Sequence, residues 1–101
     1  MAKTPRDGYV RSFLAYLCAQ IGESDRAASE IGQALQLAPN DPNTQWMAVL
    51  TYEKLGRREN ALAVLHASTT EMLADLNRWP DVADLRNDSR FQELLRLHGI
   101  V

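Results

Sequence analysis

Residues 35–42 have the sequence LQLAPNDP and separate two stretches that are expected to be helical. Pro39 disfavours helical backbone in the residue before it, so the helix that contains Leu37 is expected to end there. Asp41 can accept a hydrogen bond from the first turn of a new helix, with Pro42 at the first helical position. The segment therefore predicts the boundary between two consecutive helical units.

The stretch before this junction matches the stretch after it when the sequence is shifted by 34 residues. Gly22 falls on Gly56, and Ala27 falls on Ala61. Small residues therefore meet small ones, and four further apolar pairs follow the same phase: Ala15 with Val49, Cys18 with Tyr52, Ile21 with Leu55, and Ile31 with Leu65. A repeat of this length is typical of stacked helix pairs.

Each unit is expected to hold two antiparallel helices separated by a glycine turn. Glycine adopts positive φ past a helix end without a clash, and alanine one turn later lets the helices approach closely. The predicted helices run over residues 7–21, 25–37, 42–55 and 58–67. Helical spacing predicts two buried stripes: Val10, Leu14, Leu17, Cys18 and Ile21 in the first helix, and Ala27, Ile31, Ala34 and Leu35 in the second.

The sequence after Ser68 leaves the repeat. Ser68-Thr69-Thr70-Glu71 is typical of a capping box and predicts a helix over residues 69–77. Pro80-Asp81 is expected to start a further turn through Leu85, and Asp88 or Ser89 to cap a last helix over residues 90–98, which Gly99 ends. Because the last helix of a stacked array exposes its outer face, we interpret this region as a helical cap.

The residues in phase resemble the tetratricopeptide repeat. The frame consists of Gly22, Ala27, Ala34 and Pro39, then Tyr52, Gly56 and Ala61, and covers about two-thirds of the chain, from Gly8 to Ala67. The resemblance implies one all-α domain, residues 1–101, built as a short right-handed solenoid: repeat one at about 8–41, repeat two at about 42–68 and the cap at about 69–101. Arg11 and Gln45 stand where the family usually has tryptophan, and Trp46 follows one place later.

Residues 80–91, PDVADLRNDSRF, are similar to an ending found after tetratricopeptide repeats in bacterial signalling proteins, including eukaryotic-type serine/threonine kinases. The similarity implies that the chain is part of a larger bacterial regulator.

The repeat resemblance implies a module that binds a peptide or a partner domain in a concave groove. Carried over by position, the groove residues are Tyr9, Ser12, Tyr16, Gln20, Asn43, Trp46, Leu50, Glu53 and Lys54, with Ala19 beside them. Some tetratricopeptide-repeat proteins bind the free C-terminal carboxylate of a partner through Lys, Arg and Asn side chains. The corresponding places here carry Ser12, Tyr16 and Met47. Binding of a C-terminal carboxylate is therefore not expected.

Two alternatives stay open at this point. Tyr16 and Trp46 can be ligand anchors, or they can pack against the cap or against a preceding repeat. Tyr9, Phe13 and Tyr16 also give the first helix a second apolar stripe. An exposed apolar surface of that kind favours homo-oligomerisation as the alternative function.

Catalytic, cofactor and metal chemistry is not expected. His66 and His98 lack neighbouring ligands, and Cys18 lies on a predicted core stripe. Charge is mixed along the chain, 11 basic against 13 acidic residues, which disfavours nucleic-acid and membrane binding. Arg57-Arg58 is interpreted as a solvated turn. No signal peptide is recognised, so the expected location is the cytoplasm.

Overall fold

Every regular element in the part of the chain that the structure describes is an α-helix. The computed structural model describes residues 5–79 and 82–100. The helices are α1 (Pro5–Gln20), α2 (Ser24–Leu37), α3 (Pro42–Lys54), α4 (Arg58–His66), α5 (Thr70–Leu76), α6 (Ala83–Arg86) and α7 (Ser89–Leu97). The all-α prediction is confirmed, with bounds within a few residues of those expected, whereas the predicted turn start at residues 80–81 lies outside the described residues.

The turns after α1 and α3 have the same construction. Gly22 has φ +88° and Gly56 has φ +74°, as the sequence predicts. The amide of the next residue then donates back into the helix, from Glu23 to the Cys18 carbonyl at 2.9 Å and from Arg57 to the Tyr52 carbonyl at 2.8 Å. These bonds satisfy carbonyls that the helix end leaves free, so both helices stop sharply and the next helix returns along them.

The junction between α2 and α3 is a side-chain cap. Asp41 accepts hydrogen bonds from the Thr44 backbone amide at 2.9 Å and from the Thr44 hydroxyl at 2.7 Å. Pro42 occupies the first turn of α3. The predicted boundary is therefore confirmed, because the aspartate replaces the hydrogen-bond acceptor that the first turn lacks.

The prediction for the buried stripe of α1 is wrong for four of its five residues. Cys18 is buried, but Val10, Leu14, Leu17 and Ile21 are exposed. The buried face instead carries small side chains: Gly8, Ser12, Ala15 and Ala19. A Cβ on Gly8 would lie only 2.6 Å from the Ala38 Cβ. Small residues therefore let α1 approach α2 and α3 closely, and the larger side chains of α1 face outward.

α3 lies at the centre of the molecule. Eight of its 13 residues are buried, including Thr44, Gln45 and Thr51. Gln45 donates to the Pro39 carbonyl at 2.9 Å, and Thr51 donates to the Met47 carbonyl at 2.7 Å. These polar side chains stay inside the core because each one finds a hydrogen-bond partner, which for Thr44 is the Asp41 carboxylate.

The C-terminal helices share one core with α3 and α4. The cluster of buried apolar residues that contains Val49 and Leu65 extends through Leu73 and Leu85 to Phe91. α5 begins after Thr69, whose hydroxyl accepts from the Met72 amide at 3.2 Å, one residue later than a capping box starting at Ser68 would place it. The last helices therefore add to the existing core and do not form a separate one.

Candidate functional site

The inner face of α3 carries the second half of the predicted groove. Asn43 and Lys54 are exposed, Trp46 and Glu53 are half-buried, and Leu50 is buried. These residues recur at helical spacing, so they share one side of α3. Two cavities open along this side, one at each end of the helix.

The first cavity has a volume of about 620 Å³ and an aromatic wall. Trp46 from α3 meets Trp79, which follows α5, with ring centroids 5.2 Å apart and planes inclined by 80°. This edge-to-face arrangement is the favourable one for two aromatic rings. Pro42 and Met72 extend the apolar lining. Because Trp79 stays 40% exposed, its ring offers surface to a further side chain.

The rim of the first cavity is acidic on balance. Glu71, Asp75 and Arg78 line it. Arg78 donates to Asp75 at 2.8 Å, whereas Glu71 is exposed and forms no ion pair with any described residue. One carboxylate therefore stays available beside the tryptophan pair, and it would attract a cationic group.

The second cavity is smaller, about 370 Å³, and has a more polar lining. Tyr16 and Gln20 come from α1, and three residues come from α3: Leu50, Glu53 and Lys54. Val82 and Asp84 close it from the C-terminal side. The Glu53 carboxylate accepts hydrogen bonds from Arg58 at 2.7 and 2.9 Å. It is therefore less available to bind a ligand in this cavity.

The structure brings seven of the nine predicted groove residues to the two cavities. Asn43 and Trp46 line the first, and five line the second: Tyr16, Gln20, Leu50, Glu53 and Lys54. Tyr9 and Ser12 line neither. Ser12 is fully buried and donates to the Tyr9 carbonyl at 2.6 Å, which explains how a polar residue sits between packed helices.

The packing of Trp46 on the C-terminal segment is one of the alternatives that the sequence leaves open, and the structure shows it as a contact with Trp79. Sequence reasoning missed which C-terminal residues line the cavities. Trp79 lines the first cavity and Val82 the second. Both residues therefore lie beside α3, one at each cavity, and the Trp46 ring packs on the Trp79 ring. A signal was available, since Trp79 and Val82 lie at a break between helices, where large apolar residues indicate packing across a distant surface.

The outward face of α1 carries several of the exposed large apolar residues of the described chain. They are Val10, Phe13, Leu14, Leu17 and Ile21, which we name the outer stripe. Tyr9, at 39% exposure, borders it. Exposed apolar residues scattered singly are ordinary, whereas these residues follow one another along one face of a helix.

A charged cluster joins α3, α4 and α7. Arg58 contacts Glu53 at 2.7 Å and Asp88 at 3.1 Å, while Asp88 also binds Arg90 at 3.0 Å. Hydrogen bonds from the Arg90 side chain and backbone, and from Arg58, hold the pKa of the Asp88 carboxyl well below its ordinary value. Arg58 is thus an ion-paired bridge and not the solvated side chain expected, whereas its neighbour Arg57 is exposed as expected.

The cysteine and the histidines occupy ordinary structural positions. Cys18 is buried against Ala27 and Leu55, as its predicted core role requires. The His98 Nδ1 atom lies 2.7 Å from the Thr70 hydroxyl and links α7 to α5, whereas His66 is exposed. Among the described residues, no group of three or more histidine, cysteine or acidic side chains is placed to hold a metal.

No family model, curated protein or solved structure matches the chain. None of the described helices is both long enough and apolar enough to cross a bilayer. Arguments about function therefore rest on the surfaces described above.

Proposed function

We propose that the chain is a protein-binding module of the tetratricopeptide-repeat type that holds a segment of another protein in the cleft beside Trp46 and Trp79. In this proposal α1–α2 and α3–α4 are two successive antiparallel repeats, and α5 to α7 form the cap. The 34-residue internal match and the two equivalent positive-φ glycines support the repeat assignment.

The observation that carries the proposal is the open edge-to-face tryptophan pair at the first cavity. Tryptophan side chains dominate binding energy at protein interfaces because they bury a large area and lose little conformational entropy. Here Met72 and Pro42 supply an apolar floor, and the cavity volume of about 620 Å³ suits a few side chains. Size and lining are those of a typical ligand pocket.

The rim specifies the chemistry of the partner. Glu71 is a free carboxylate, and Asp75 is shared with the exposed Arg78. A lysine or arginine on the ligand could pair with Glu71 and lie over the exposed face of Trp79 as a cation–π contact. The proposed partner is therefore a short segment with a bulky apolar residue next to a basic one.

The test combines peptide selection with intrinsic fluorescence. Phage-displayed random 12-residue peptides are selected on the wild-type chain, and the enriched peptides are titrated while tryptophan emission is recorded. The chain has two tryptophans, Trp46 and Trp79, so emission reports directly on the cleft. We expect apolar–basic pairs among the enriched peptides, and a change in emission on binding.

A charge reversal with a matched control locates the site. Glu71→Lys reverses the free rim carboxylate in the first turn of α5, and Glu59→Lys makes the same change in the first turn of α4. Both lose a similar favourable interaction with the helix dipole. Glu59→Lys also loses an exposed ion pair with Arg90 at 3.7 Å, which contributes little to stability. We expect Glu71→Lys to weaken peptide binding at least about 10-fold, because one charge-assisted contact is lost, and Glu59→Lys to leave it unchanged. Equal binding by both variants, without an emission change, would rule out the cleft.

Its place in a larger bacterial signalling protein and its cytoplasmic location stay predictions from the sequence. The second cavity contributes less to the proposal, because its acidic residue Glu53 is already paired with Arg58.

A further inference from the structure

α1 is apolar on both of its faces. Gly8, Ala15 and Ala19 pack inward, while the outer stripe faces away from the core with residues that are 39–72% exposed. Between residues 8 and 22 the only charged side chain is Arg11, and it is turned toward α2, where it contacts Glu30 at 2.9 Å. A helix that is hydrophobic all round belongs in an interior or an interface, so the outer stripe requires a cover.

The described residues do not supply that cover, since every residue of the outer stripe stays at least 39% exposed. The outer stripe extends from Val10 to Ile21, which is about 17 Å along the helix axis. A separate surface of that length is needed to cover it.

The outer stripe has the symmetry that a second copy requires. Its central line is Val10, Leu14, Leu17 and Ile21, with steps of four, three and four residues. Reversing the helix direction reproduces the pattern, with leucines at both inner positions and β-branched residues at both ends. A two-fold interface needs a self-complementary patch of this kind, since residue i contacts residue j and j contacts i.

The same pattern sets the direction of the pairing. Two outer stripes that run antiparallel bring their steps of four, three and four residues into register, so that leucine faces leucine and the β-branched ends face each other.

From these observations we infer that the chain forms a symmetric dimer in which the outer stripes of two copies pack antiparallel, with Val10 facing Ile21 of the second copy and Leu14 facing Leu17. The contact is a single helix pair, smaller than the standard interface of about 800 Å² per partner. We therefore expect a weak dimer, with a dissociation constant of about 1–100 μM. The inference is independent of the cleft, because no residue of the outer stripe lines the first cavity.

Sedimentation equilibrium of the full chain between 10 μM and 1 mM measures the association. Leu14→Asp places two carboxylates at the centre of the proposed interface, and we expect it to raise the dissociation constant at least about 100-fold. Leu97→Asp is the matched control, because Leu97 is 66% exposed on α7, away from α1. It should leave association unchanged. Circular dichroism confirms that each variant folds, and peptide binding to the cleft is unaffected by either change.

Disulfide cross-linking tests the orientation. In a Cys18→Ala background, Val10→Cys and Ile21→Cys chains are mixed and oxidised, with each chain alone as a control. Antiparallel pairing predicts a disulfide between the two different chains. It forbids a Val10→Cys pair, whose positions would be about 17 Å apart along the axis, well beyond disulfide reach.

Three outcomes overturn the inference. The first is a chain that stays monomeric at 1 mM, as it would if the outer stripe only stacks on another repeat of a longer protein. The second is a dimer that Leu14→Asp does not weaken. The third is efficient cross-linking of Val10→Cys with itself, which would indicate parallel pairing.

Discussion

Two glycines in the first helix pair face opposite surroundings, and an alanine at each should change stability in opposite directions. A Cβ on Gly8, in α1, would lie 2.6 Å from the Ala38 Cβ and 3.1 Å from the Ala34 carbonyl oxygen. A Cβ on Gly32, in the interior of α2, meets no atom within 4 Å. The comparison isolates the close approach of the helices from the intrinsic helix preference of alanine.

The magnitudes follow from two effects. Alanine is favoured over glycine inside a helix by about 0.8–1.0 kcal/mol, so Gly32→Ala should raise the free energy of unfolding by up to about 1 kcal/mol. At Gly8 the same preference opposes an overpacking cost of about 1–3 kcal/mol. We expect a net loss of up to about 2 kcal/mol there. Because the helix preference is common to both variants, they should differ by the overpacking cost of about 1–3 kcal/mol, and their Tm values by roughly 4–24 °C.

Urea unfolding followed by circular dichroism at 222 nm measures both variants against the wild type. The double variant Gly8→Ala/Ala38→Gly removes the closest clashing carbon and should recover part of the loss, a coupling that a double-mutant cycle quantifies. The reasoning is refuted if Gly8→Ala is as stable as Gly32→Ala, because the packing of α1 on α2 would then have room that the structure does not show.

Three further changes probe the polar contacts. Arg58→Ala leaves the carboxylates of Glu53 and Asp88 without their shared partner. We expect it to lower the free energy of unfolding, measured in urea, by about 1–2 kcal/mol. Arg78→Ala is the control, with an expected loss below about 0.5 kcal/mol because its ion pair is exposed. Arg90 and Arg58 lower the pKa of Asp88. The stability that ionised Asp88 contributes is therefore complete above the unfolded-state pKa of about 4 and declines as the pH falls below it. Asp88→Asn should flatten the acid side of a Tm–pH profile, and an unchanged profile would contradict this. Gln45→Leu leaves the Pro39 carbonyl without its donor, and a loss of about 1–2 kcal/mol is expected in the same urea assay.

Local chemistry made the helix boundaries predictable. Asp41 before Pro42 and the glycines at 22 and 56 act within a few residues of the chain, and the structure places each in its expected role. The start of α5 was shifted by one residue because Ser68 donates to the Val64 carbonyl at 3.0 Å and remains with the preceding helix. Such a choice between two adjacent hydroxyl residues depends on tertiary contacts.

The buried face of α1 could not be predicted by apolar periodicity. Two stripes on this helix have the correct spacing, and apolar periodicity favours the stripe with the larger apolar residues. The packing prefers the stripe of Gly8, Ser12, Ala15 and Ala19, because the distance between helices is set by the smallest residues at the contact. The signal was present in the small residues, but it identifies a close contact only when the partner helix is known.

The sequence predicts which α3 residues share one side of that helix, but not which distant residues they contact. Trp46, one position after the expected tryptophan, lines the first cavity. Its contact with Trp79 joins residues separated by 33 positions, through a segment that follows no repeat pattern. Long-range pairing of this kind is invisible to local rules, so the cleft required the structure.

The central position of α3 also determines how the molecule opens. Eight of its 13 residues are buried between the other helices, so its backbone amides can meet solvent only when packing on several sides is lost together. In hydrogen–deuterium exchange, these amides should report the free energy of complete unfolding, while the exposed side of α1 exchanges through smaller openings. Because the buried residues of α3 share one core with α4 and the C-terminal helices, we expect the described helices to unfold in one cooperative transition.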